Sequence, residues 1–66
     1  MESKEAKQFR LKLVGPQPGD RVEVVLPAHP SIPRYGVVVS IRRWVTIRWD
    51  DDNMNLVALK RITRIL

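Results

Sequence analysis

Apolar residues recur at every second position through much of this chain, the spacing of half-buried strands. The clearest case is Gly36–Asn53, where the β-branched runs Val37–Ile41 and Val45–Trp49 flank a basic break and end at an acidic turn. That pattern predicts a β-hairpin. Pairing Ile41 with Val45, Val39 with Ile47 and Val37 with Trp49 puts these six residues on one face. A slip by one residue would carry Thr46 and Arg48 into that face, and burying an unpaired charge is costly. The expected register leaves Arg42, Arg43 and Trp44 as a three-residue tip.

The same periodicity extends outward from the hairpin. Arg21–Leu26 reads as a strand with Val22, Val24 and Leu26 inward, and Met54–Ala58 as another, joined to the hairpin by a four-residue turn at Asp50–Asn53. Pairing Trp49 with Met54, Ile47 with Leu56 and Val45 with Ala58 keeps apolar residues together there. Pro27–Tyr35 carries three prolines and reads as an ordered, extended loop. Leu59–Ile62 reads as a helical turn and Thr63–Leu66 as a short last strand. Ahead of the Gly15–Asp20 break, Phe9, Leu11 and Leu13 alternate with Arg10 and Lys12, which predicts an extra strand. A helix from Ser3 to Val14 competes, since Ala6, Phe9 and Leu13 would share its face. Residues 1–14 thus form a tail or extra strand, and 15–66 the domain proper.

The chain has 66 residues and no cysteine, so it is one small domain without disulfides or a Cys-based zinc site. A chain of this size buries only about 60% of its extended surface, which makes oligomerisation a natural staple. The register leaves Val25, Val38 and Val57 outward, and either Phe9/Leu11/Leu13 or a second subunit would cover them. A homo-oligomer fits that need. No apolar run reaches a membrane span and no signal-peptide core is present, so the expectation is a cytoplasmic protein with no membrane partner. The 12 Lys and Arg outnumber 7 Asp and Glu, a balance that suggests a polyanionic partner, DNA or RNA. Solubility alone also accounts for such a charge.

Five short strands, tight hairpins and a helical turn before the last strand describe an all-β fold, a five-stranded small barrel. Pro18–Val22 (PGDRV), Gly36–Val38, Ile47–Asp50 (IRWD) and Leu59–Ile62 (LKRI) resemble the SH3-like barrel superfamily, which includes Tudor, KOW and integrase C-terminal domains. The resemblance spans residues 17–66 and extends to small bacterial and phage proteins with a similar opening and W-D turn. It implies a fold that hosts many activities, not one function. The GDRV opening and VALKRI closing are also similar to the type II plasmid dihydrofolate reductases. Where that family places its Val-Gln-Ile-Tyr active-site run, this chain has Asp51-Asp52-Asn53-Met54, so the activity does not carry over. Tudor domains need an aromatic cage, and Phe9, Tyr35, Trp44 and Trp49 are too few to complete one once Trp49 is buried.

The chemistry left is that of binding. Paired guanidiniums engage phosphates through charge-assisted bidentate bonds, and an exposed indole can stack on a base, so Arg42, Arg43 and Trp44 lead the candidates. The bland alternative folds Trp44 back as a lid. Arg48, beside Thr46, Ser40 and Val38 on an outward face, can lie along a backbone, and Lys60, Arg61 and Arg64 add charge without an intervening acid. Arg34 and Tyr35 repeat the Arg-plus-aromatic pairing. The Asp50–Asn53 cluster lacks the spacing of a calcium loop and reads as a turn. His29 has no catalytic or ligand partner pattern. These readings predict a non-enzymatic, cofactor-free nucleic-acid binder. The alternative is a protein-interaction module using Trp44, Tyr35 and the proline stretch.

Overall fold

The computed structural model describes residues 2–66, which form one five-stranded antiparallel sheet and one short helix. The helix α1 spans Lys4–Leu13. Strands β1 (Arg21–Leu26), β2 (His29–Ile41), β3 (Val45–Trp49), β4 (Met54–Val57) and β5 (Ile62–Ile65) follow, with a 3-10 turn at Leu59–Arg61 before the last. The sheet order is β4-β3-β2-β1-β5.

Of the two readings of the N-terminal segment, the favoured strand is not formed and the competing helix is, as α1. Local helix signals outweigh the three alternating apolar residues. Ser3 caps the N-terminus, its Oγ accepting the Ala6 N–H at 3.1 Å, while Glu5 sits in the first turn and Arg10 and Lys12 in the last. Gly15 (φ +91°) then ends the helix, its N–H donating to the Arg10 carbonyl. Only Leu11 packs on the core, and Phe9 and Leu13 stay exposed.

Nine residues form a single core: Val22 and Val24 of β1, Val38 of β2, Val45, Ile47 and Trp49 of β3, Val57 of β4, and Ile62 and Ile65 of β5. The hairpin register corrects the expected one. Ile41 does pair with Val45, but the register shifts between Val38 and Ser40, and beyond it Val38 pairs with Ile47, Val37 with Arg48 and Gly36 with Trp49. One extra residue on β2, Val39, therefore flips the faces: Val38 is buried, Val39 exposed and Val37 half-buried. β4 is also one residue from its expected pairing, with Val45 opposite Val57 and Ile47 opposite Asn55. The Trp49 indole N–H donates to Asn55 Oδ1 at 2.7 Å, so the inner face of β4 carries a polar partner for the buried ring. Met54 and Leu56 consequently face outward and stay exposed. Of the three valines expected to need a cover, Val38 and Val57 are core residues.

The proline stretch is strand rather than loop. Leu26 pairs with His29 across a two-residue turn, and the β1–β2 register then jumps to Val24 opposite Arg34. Pro30 and Pro33 sit in that irregular segment, beyond the end of β3 pairing at Gly36, where their missing N–H groups break no ladder bond to β3.

The sheet must curl. Laid flat, five strands put the edges about 19 Å apart, yet β4 and β5 are linked only through Ala58 and the 3-10 turn. Register shifts in three of the four strand pairings and Gly36 permit the bend: a Cβ at Gly36 would meet Ile47 Cγ2 at 2.6 Å and the Arg48 carbonyl oxygen at 2.7 Å. β4 and β5 nonetheless remain the two edges, so the sheet is open.

Candidate nucleic-acid interface

The strand pairings divide the candidate residues between two ends of the sheet. Arg42, Arg43 and Trp44 form the β2–β3 connection as expected, with the Arg42 N–H donating to the Trp44 carbonyl at 3.0 Å. All three are exposed, and Trp44, at 49% exposure, does not fold back as a buried lid. Because Val45 lies opposite Val57, Trp44 stands beside Ala58, and the turn bearing Lys60 and Arg61 follows directly. Ile41, at the end of β2, and Leu59, at the start of that turn, are both exposed. The apolar alternation assigns Ile41 to the core, and only the strand ending there reveals that it is not.

Arg48 is exposed on the outward face, but its neighbours differ from those expected. Val37 and Met54 flank it across the ladder, Arg21 continues the row on β1, and Val38 lies on the other face. Thr46, paired with Ser40 and Leu56, does stand on the same face.

The remaining candidates lie elsewhere and are engaged. Arg64 Nη2 sits 3.0 Å from Glu23 Oε2, and Thr63 Oγ1 donates to Glu23 Oε1 at 2.8 Å. The Thr63 hydroxyl leads the groups that hold the Glu23 carboxyl below its ordinary value, with Arg64 assisting. Arg34 places its guanidinium carbon 4.3 Å from the centroid of Trp49, covering one end of the core. Tyr35 lies opposite Glu23, six residues and roughly 20 Å of strand from Ile41. It does not share a surface with Trp44.

The other ion pairs sharpen this division. Arg21 makes a two-pronged contact with Asp50, at 3.0 and 2.9 Å. Arg10 bridges Glu2 and Asp20, with Asp20 oxygens at 2.8 and 3.0 Å. Asp51 accepts from the Asn53 backbone at 3.1 Å, closing the acidic turn as Asp side chains do, and Asp52 takes the left-handed φ of 69° there. Among the described residues, Arg42, Arg43, Arg48, Lys60 and Arg61 make no ion pair with an acidic side chain. Of these, Arg42 and Arg43 stand at the tip end of β3, whereas Arg48 stands at the other end, next to the acids of the Asp50–Asn53 turn. No helix among the described residues is long and apolar enough to cross a membrane.

No known protein family, curated protein or solved structure matches this chain.

Proposed function

We propose that this chain is a non-enzymatic, SH3-like barrel that binds DNA or RNA mainly through phosphate contacts. The observation that carries the reading is the β2–β3 tip, where Arg42 and Arg43, without an acidic partner among the described residues, precede exposed Trp44, and the Lys60–Arg61 turn follows the strand paired with β3. Arg42 and Arg43 clamp phosphates, Trp44 stacks on a base or wedges into a groove, and Lys60, Arg61 and Arg48 supply the surrounding field. Arg64 and Arg34, engaged within the fold, and Tyr35, toward the other end of β2, are left out of this set. The barrel reading is supported by the short link between the edge strands and by a core drawn from all five.

Fluorescence anisotropy with duplex and single-stranded DNA and RNA probes over a salt series tests it. Affinity should fall steeply with salt. Replacing Arg42 and Arg43 together by Gln should flatten the log–log slope by about 2 on duplex DNA, at roughly 0.9 per phosphate contact. Trp44→Ala should weaken single-strand binding about tenfold, the low end of a stacked base's contribution, with little change in stability. The comparison of probes distinguishes DNA from RNA. No binding to any probe at low salt sinks the proposal.

A further inference from the structure

The two edges of the sheet are treated differently. At β5 the Gln8 side chain of α1 acts as a surrogate strand: its amide donates to the Ile65 carbonyl and its Oε1 accepts the Ile65 N–H at 3.2 Å. At β4 nothing comparable is present among the described residues. The Asn53 carbonyl accepts from the Trp49 N–H at 2.7 Å, so alternation turns the backbone groups of Met54 and Leu56 away from β3, toward the open side. Their side chains are 60% and 65% exposed. Proline, lysine and inward charge, the usual guards of an open edge, are absent from Met54–Val57.

We propose that this edge pairs antiparallel with the same edge of a second copy, forming a two-fold dimer with one continuous sheet. Charge selects this occupant. Asp51 and Asp52 precede β4 and Lys60 and Arg61 follow it, so antiparallel self-pairing sets the acidic flank of each copy beside the basic flank of the other. A parallel arrangement would oppose like charges. Setting Met54 opposite Leu56 of the second copy keeps matching faces together, joins the four exposed apolar side chains in one cluster and satisfies the free N–H and C=O groups. Such a contact is isologous and closes on itself, so it ends at two copies. The inference does not rest on nucleic-acid binding.

Sedimentation equilibrium of this 66-residue chain, nuclease-treated, at low salt tests it. The mass should rise with concentration from 7.7 kDa to twice that value. Leu56→Lys, at an exposed position, should raise the dissociation constant at least about tenfold. Asp51→Lys with Asp52→Lys should dissociate the dimer, as should Lys60→Glu with Arg61→Glu. Mixing these two charge-reversed proteins should restore it. Tryptophan fluorescence verifies that each variant is folded, and Leu56→Lys serves as the decisive variant if a turn substitution unfolds the chain. A 7.7 kDa mass at every concentration into the millimolar range overturns the proposal, as does a dimer that survives Leu56→Lys.

Discussion

Arg10 holds two carboxylates at once and so ties α1 to Asp20, the residue just before β1. Its guanidinium, chiefly through hydrogen bonds, keeps the Asp20 carboxyl below the ordinary value of 3.8, and the Gln17 N–H at 2.8 Å adds to the effect. A depressed folded value means that the folded form holds its proton less readily than the unfolded one. Stability from this group is therefore complete above pH 4 or so and is lost as pH falls through the depressed value. Arg10→Gln should flatten that acid limb in denaturant titrations followed by Trp fluorescence. Gly36 is a second residue with a defined load. Alanine there would clash with backbone as well as side chain, so Gly36→Ala should cost about 3 kcal/mol and lower Tm by roughly 10 °C or more, read by calorimetry.

At the scale of elements, β1, β3 and the β2–β3 tip were legible because each has one apolar face and clear boundaries. Val22 and Val24, and Val45, Ile47 and Trp49, are buried as their alternation predicts. β2 and β4 were misread because the single extra residue at Val39 and the hydrogen bond from Trp49 to Asn55 have no periodic signature. Leu56 looks like core on hydropathy, and Asn55 has the inner place because the indole N–H needs an acceptor. Phe9, Leu11 and Leu13 satisfied a strand pattern, but the Ser3 cap and the Gly15 stop decide the matter locally. The basic tip was legible as a motif, whereas the diversion of Arg34 onto Trp49 and Arg64 onto Glu23 depends on cross-strand neighbours no linear reading supplies. The surrogate-strand contact of Gln8 offers a local test. Gln8→Ala should cost about 1 kcal/mol and speed hydrogen exchange at the Ile65 amide, while the Ile47 amide keeps its protection.

Across the whole molecule the formal charge of +5 is only partly offset by ion pairs: Arg10, Arg21 and Arg64 are paired with acids, while Arg42, Arg43, Arg48, Lys60 and Arg61 make no such pair among the described residues. The pairing order carries a further consequence, for kinetics. Three neighbouring hairpins join strands adjacent in sequence, and only β1 with β5 joins segments about forty residues apart. Closing that long loop is entropically the most demanding step, so the β2–β3 hairpin is expected to form before β5 docks. Ile47→Val should then act mainly by slowing folding, and Ile65→Val mainly by speeding unfolding, a difference that the two arms of a stopped-flow chevron would resolve. The strand that completes the core would thus be the last to arrive and the first to leave.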